Sequence, residues 1–250
     1  MICPLPVIAL LALGLALSLG SSCRRDGSAR NAATPAGGSD AYAQERRAMV
    51  TEQIAGRGVT DPEVLAAMLK VPRHAFVPAP YTGEAYGDHP LPIGGEQTIS
   101  QPYIVALMTE ELDLGPTDRV LEVGTGSGYQ AAVLAEIAAE VYTIEIIDFL
   151  GLRAEEVLRS LGYANVWVKI GDGYEGWPEH APFDKVIVTC APTEIPEPLV
   201  AQLRDGGVMV IPVGEAGSQY LYRVRKQAGR VETERVTPVL FVPLTGPHAP

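Results

Sequence analysis

A short apolar run that breaks into three alternating glycines, then resumes as an alanine-rich stretch, constrains this chain more than any other feature. The residues are Val120-Leu121-Glu122-Val123-Gly124-Thr125-Gly126-Ser127-Gly128. Arg119 to Val123 reads as a strand and the stretch running to Ala139 as a helix, so the glycines make a strand-to-helix turn. Glycine adopts positive φ at no steric cost and lets a ligand approach the main chain closely. The helix N-terminus beyond it offers unpaired N–H groups to a polar ligand. A nucleotide-like cofactor is the first expectation.

The spacing narrows it. A dinucleotide fingerprint places glycine at the first, third and sixth positions of the turn. Here Gly124 and Gly126 fit, but the sixth position is Tyr129 and the third glycine falls at Gly128. The acid Glu122 precedes the turn, where it would gain an anionic pyrophosphate little. Acid-x-Gly-x-Gly-x-Gly resembles the turn of S-adenosyl-L-methionine-dependent methyltransferases, whose cofactor carries an ammonium. Val141 to Glu145 then reads as a second strand ending in an acid, placed to accept from ribose hydroxyls. Val166 to Ile170 reads as a third, delivering Gly171-Asp172-Gly173, with Asp172 suited to an exocyclic adenine amine. Thr125, Ser127 and Gly173 complete the expected cofactor set. All of these lie at strand C-terminal ends, where ligands of open α/β sheets bind.

From Arg119 onward strands are expected at 119–123, 141–145, 166–170, 185–190 and 207–213, with helices at 128–139, 149–161 and 196–204. Such alternation predicts an α/β, Rossmann-like fold, a mostly parallel central sheet with helices on both faces. Two further strands, Gln219 to Lys226 and Arg230 to Pro243, are expected to pair through a turn at Gly229. The domain is expected to span 42–250, its N-terminal part 42–111 being helical. Asp61-Pro62-Glu63 has the pattern of a helix start, and Pro102 opens another helix to Glu111. Pro78 to Gly95, rich in proline and glycine, reads as an irregular connector.

A chain of 250 residues, 47% hydrophobic, buries one sizeable core. Its formal net charge of −11, with no basic stripe, argues against a nucleic-acid substrate. The three cysteines (Cys3, Cys23, Cys190) offer no disulfide framework, and His74, His89, His180 and His248 lack metal-ligand spacing, so no metal site is expected. Cys190 reads as a small apolar residue at a strand end.

Ahead of the domain, 1–23 is signal-like and 24–41 a Gly/Ala/Ser/Pro-rich flexible linker. Three readings fit. Cys23 after small residues resembles a lipoprotein acceptor, which would export the domain as a lipid-anchored, periplasmic protein. Arg24, Arg25 and Arg30 lie after the apolar run, which by the positive-inside rule favours a tether through 5–22 with the domain in the cytoplasm. Met49-Val-Thr-Glu-Gln also reads as a normal domain start.

Taken together the residues closely resemble the protein-L-isoaspartate O-methyltransferase family over roughly Met49 to Leu244. The most specific pieces are Leu91-Pro-Ile-Gly94 and Gln97-Thr-Ile-Ser-Gln-Pro102. Val71-Pro-Arg73, Phe76-Val77, Ala181-Pro-Phe-Asp184 and Gly206 to Gly214 support them. The chain departs from the family's bacterial pattern at Gly95-Glu96, ahead of Gln97, and in its N-terminal extension. The resemblance implies methylation of the free α-carboxyl of isoaspartyl-containing proteins and peptides by a monomeric enzyme. It implies Ser100 as the active-site serine, positioning the substrate carboxylate, with Ile93, Gly94, Thr98, Ile99 and Gln101 around the substrate. The loop Leu91 to Gln101 is expected to act as a lid. A carboxylate is ionised at neutral pH, so no strong general base is needed, and alignment with water excluded supplies most of the acceleration. Two other readings stand beside this one: a same-fold methyltransferase with a small-molecule acceptor, and an exported lipid-anchored binding protein for damaged peptides that transfers nothing.

Overall fold

The computed structural model describes residues 41–247, so the signal-like segment, most of the linker and His248 lie outside the described residues. The sheet has seven strands in the order β5-β4-β3-β6-β7-β8-β9. These are β3 (Arg119–Val123), β4 (Glu140–Glu145), β5 (Val166–Ile170), β6 (Phe183–Val188), β7 (Leu203–Glu215), β8 (Ser218–Gln227) and β9 (Arg230–Val239). From β5 to β7 the pairs are parallel, and β8 and β9 add antiparallel. This is the expected α/β architecture.

Both faces of the central strands are buried, and the period-two alternation of their side chains shows it directly. Val120, Val141, Ile187, Val208 and Val210 pack on one face, in the cluster that holds Tyr129, Leu134, Leu150 and Leu158. Leu121, Val123, Ile144, Val186, Val188, Met209 and Ile211 pack on the other with Leu199 and Leu203. The first face is covered by helices α2 (Pro62–Lys70), α3 (Pro102–Leu112), α4 (Tyr129–Ala135) and α5 (Asp148–Ser160); the second carries α6 (Glu197–Gln202). Each fully buried aliphatic side chain contributes about 1.5–3 kcal/mol, so the two apolar layers supply most of the favourable term.

Local signals account for the helix starts. Asp61 caps α2, its Oδ1 accepting from the Glu63 and Val64 amides at 2.8 and 3.2 Å, with Pro62 in the first turn. Before it, α1 (Ala43–Ala48) runs into a π-helical segment, Met49–Ile54, and a 3-10 turn ending at Gly58 with φ 102°. Asp184, from the Ala181 to Asp184 motif, accepts from the Arg119 amide at 2.7 Å and pairs with Arg204, fixing β3 against β6.

The connector departs from the irregular reading. It contains a 3-10 segment, Ala79–Glu84, and then β1 (Leu91–Gly94), antiparallel to β2 (Gln97–Ile99). Pro92 and two glycines conceal a strand from propensity. The strand forms because Leu91, Ile93 and Ile99 are each no more than 3% exposed and anchor the hairpin to the core. Gly94, Gly95 and Glu96 all take positive φ (100°, 59° and 60°), so Gly95-Glu96 is accommodated as the hairpin turn. At the other end, β9 stops at Val239 instead of continuing to Pro243.

Candidate active site

The chain passes from β3 to β4 and β5 on one side, then returns to β6 on the other side of β3. That reversal leaves a crevice beyond the strand ends. A concave cleft opens there, at the position where open α/β sheets bind small molecules.

The glycine turn forms its floor. Gly124, Gly126 and Gly128 have φ of 99°, 52° and 86°, values open to few other residues. Gly124 and Thr125 both donate to the Ile144 carbonyl, at 2.9 and 3.1 Å, so the turn is strung onto β4. Thr125 and Thr143 share a 2.6 Å hydroxyl hydrogen bond beneath it. Thr189, just beyond β6, donates its hydroxyl to the Gly124 carbonyl at 2.7 Å. A methyl group on Gly124 would lie 2.4 Å from that Thr189 oxygen, so only glycine fits. Ser127 lines the same floor.

Glu145 is in the cleft wall, as its position at the end of β4 predicts. Its carboxylate bridges two loops, accepting from the Gly126 amide at 2.7 Å and the Ile147 amide at 2.9 Å. Each oxygen has a further lone pair with which to accept from a diol. Gly173 also lines the cleft, whereas Asp172 stands just outside the lining. Asp172 Oδ1 accepts from the Tyr174 amide at 3.0 Å, and Gly246 closes over it.

Glu122 lies elsewhere than its motif position suggests. It shares the face of β3 with Val120, is 0% exposed and does not line the cleft. Neither carboxylate oxygen has a hydrogen-bond partner among the described residues. Burial pushes its pKa up to about 8, against the opposing Thr143 hydroxyl and with a smaller push from Glu145. Burial thus favours the protonated form of Glu122 near neutral pH.

The hairpin supplies the facing wall. Thr98, Ile99 and Ser100 line the cleft with Gln97. Ser100 makes no side-chain hydrogen bond among the described residues, and Gln101, not Ser100, occupies the N-cap of α3. Ile93 lies over the floor: a methyl group on Gly126 would meet its Cδ1 at 3.5 Å. Gly94 and Gly95 rest on Phe149; a methyl group on Gly95 would press its ring at 3.2 Å. Gln101 points away and donates to the Asp88 side chain and carbonyl at 2.8 and 3.1 Å. Thr98, Ile99 and Ser100 thus line the cleft, Ile93 lies over the floor from outside that lining, and Gly94 and Gln101 lie away from it.

Three parts of the wall escaped sequence reasoning. Thr189 and Cys190 follow β6 at the strand reversal, a position the topology rule could have flagged. Burial raises the Cys190 thiol to about 12, which disfavours its thiolate. Val242 to Thr245 form a strap: the Ala191 amide donates to the Val242 carbonyl at 2.8 Å, and the Leu244 amide to the Ala191 carbonyl at 2.9 Å. Tyr129 and Gln130 from α4, with Ile146 and Ile147 after β4, complete the lining.

A glycine floor that no side chain could share, an acid one strand over and a three-glycine spacing foreign to dinucleotides suit a nucleoside cofactor with an amino-acid tail. The fold and site are those of a Rossmann-like S-adenosylmethionine-dependent methyltransferase. More narrowly, the chain belongs to the protein-L-isoaspartate(D-aspartate) O-methyltransferase family, whose model matches residues 44–249. It is 56% identical over 198 residues to the protein-L-isoaspartate O-methyltransferase of Gloeobacter violaceus, covering 79% of this chain and 97% of that protein. It is 58% identical over 211 residues to protein-L-isoaspartate O-methyltransferase 1 of Nitrosospira multiformis, covering 83% and 89%. Among solved structures, a Plasmodium falciparum protein described as a protein-L-isoaspartate O-methyltransferase, in complex with S-adenosyl-L-homocysteine, superposes with a TM-score of 0.71. It is 27% identical, covering 80% of this chain and 98% of that one.

Proposed function

We propose that this chain methylates the free α-carboxyl of L-isoaspartyl residues in damaged proteins and peptides. The carrying observation is that Thr98, Ile99 and Ser100 face the glycine floor across one cleft, so acceptor and donor sites are contiguous. S-adenosylmethionine supplies the methyl group, as a sulfonium cation. Gly124 to Gly128 hold it by main-chain approach, Glu145 takes the ribose hydroxyls, and Asp172 with Gly173 border the adenine. Glu122 is buried beneath the turn and does not line the cleft.

Ser100 positions the acceptor. Ser100 lines the cleft and its hydroxyl has no partner among the described residues, so it is available to donate to the substrate carboxylate. Thr98 and Ile99 line the path of the damaged peptide in extended form. The hairpin 91–99 closes the cleft against water, which strengthens every charge interaction inside it. The methyl ester so formed collapses to a succinimide unaided, and hydrolysis returns part of it to aspartate. The direct test is methyl incorporation into paired peptides differing only in isoaspartate versus aspartate.

The enzyme is read as a monomer acting on the cytoplasmic side. Among the described residues no helix is long and apolar enough to cross a membrane. Support for the cytoplasmic side comes from Arg24, Arg25 and Arg30 after the apolar run. The mass of the cellular protein's N-terminus tests it: an intact Met1 or a start at Met49 is expected, and a diacylated Cys23 would contradict it.

A further inference from the structure

Arg73 opens a 3-10 turn, Arg73–Phe76, ahead of the connector, and is 0% exposed. Its Nε donates to the Ala85 carbonyl at 2.7 Å and its Nη2 to the Ser100 carbonyl at 2.8 Å. The guanidinium carbon lies 4.8 Å from the centre of the Tyr129 ring, which begins α4 and lines the cofactor cleft. Nη1 has no partner, and no carboxylate pairs with the group among the described residues.

Burying a cation without an anion is costly. Two charge-assisted hydrogen bonds and an aromatic face offset only part of that. Burial lowers the group's pKa to about 10, so it stays charged at neutral pH. What the cost secures is a three-way clamp. One planar fork joins the connector at Ala85, the end of the hairpin at Ser100 and the first residue of the cofactor helix. Lysine carries its donors on one nitrogen and lacks the planar fork that here spans the Ala85 and Ser100 carbonyls.

We propose that Arg73 is a positioning residue for the isoaspartyl substrate: it fixes the Ser100 peptide so that the Ser100 hydroxyl faces the acceptor carboxylate, and it places an unneutralised positive charge behind that anion's site. In a water-poor interior such a charge acts over a longer range than it would in solvent. The inference rests on the methyl-transfer reading above.

The test uses the full chain with Arg73→Lys and Arg73→Gln. Unfolding midpoints come first, then S-adenosylhomocysteine affinity by calorimetry, then KM for the cofactor and for an isoaspartyl peptide. Both variants are expected to fold, with cofactor affinity held within about threefold and peptide KM raised about tenfold or more in Arg73→Gln. Arg73→Lys is expected to recover part of the peptide loss, because the charge returns without the fork. Equal losses on the cofactor and peptide sides, an unchanged peptide KM, or failure of both variants to fold would overturn the proposal. A wild-type chain that ignores isoaspartyl peptide would instead strike the methyl-transfer reading itself, so the two failures are distinguishable.

Discussion

Replacing Ser100 by alanine is expected to lower kcat/KM for an isoaspartyl peptide by roughly ten- to a hundredfold, the loss of one hydrogen bond to a charged group of about 1.5–3 kcal/mol. Ser100 lines the cleft, its hydroxyl bonds nothing among the described residues, and Gln101 holds the N-cap of α3. Its removal therefore leaves no orphaned protein group. Cofactor affinity should be unchanged, since the glycine floor and Glu145 keep all their contacts. Steady-state kinetics at saturating S-adenosylmethionine, paired with S-adenosylhomocysteine calorimetry, separates the two effects. Turnover equal to wild type would remove Ser100 from the mechanism.

A second large effect is expected in the pH dependence of stability, and Glu122 carries it. Its carboxyl is held up to about 8 in the folded chain, against an ordinary value of 4.5. Between those values the folded state holds a proton that the unfolded state has released. The group's contribution is thus fully present below about pH 4.5 and is lost as pH rises through 8. A shift of that size corresponds to roughly 3–5 kcal/mol across the window. Glu122→Gln stays neutral throughout, so its urea unfolding midpoint should fall much less than the wild type's between pH 5 and 9. Below pH 5 the variant should be slightly the weaker, because the amide adds a buried donor without an acceptor. Parallel pH profiles for the two proteins would show that Glu122 ionises freely in the fold.

Much of this architecture was legible because local and global signals agree. Arg119–Val123 and Val166–Ile170 form strands over the spans that their apolar patterns mark, and Asp61 caps α2 as its Asp-Pro-Glu start predicts. The glycine turn was readable because positive φ is nearly exclusive to glycine, so spacing maps directly onto backbone shape. Two things were not readable. The first is which face of β3 Glu122 occupies: period two fixes only that it sits with Val120, and the packing of α3 and α4 decides that this face is sealed. The second is non-local closure. Val242 to Thr245 join the cleft wall through bonds to Ala191, fifty residues earlier, and nothing in their own sequence announces it. The hairpin lies between these cases. Leu91, Ile93 and Ile99 alternate as a strand pair should, but Pro92 and Gly94 mask the pattern until the core beneath is known.

Substrate identity is the central claim, and one measurement reaches it most directly. The purified chain is incubated with radiolabelled S-adenosylmethionine and two synthetic peptides of one sequence, identical except that one contains L-isoaspartate and the other L-aspartate. Base-labile label on the isoaspartyl peptide, with the aspartyl peptide at background, is the predicted result. Equal label on both peptides, or none on either with cofactor demonstrably bound, would contradict it.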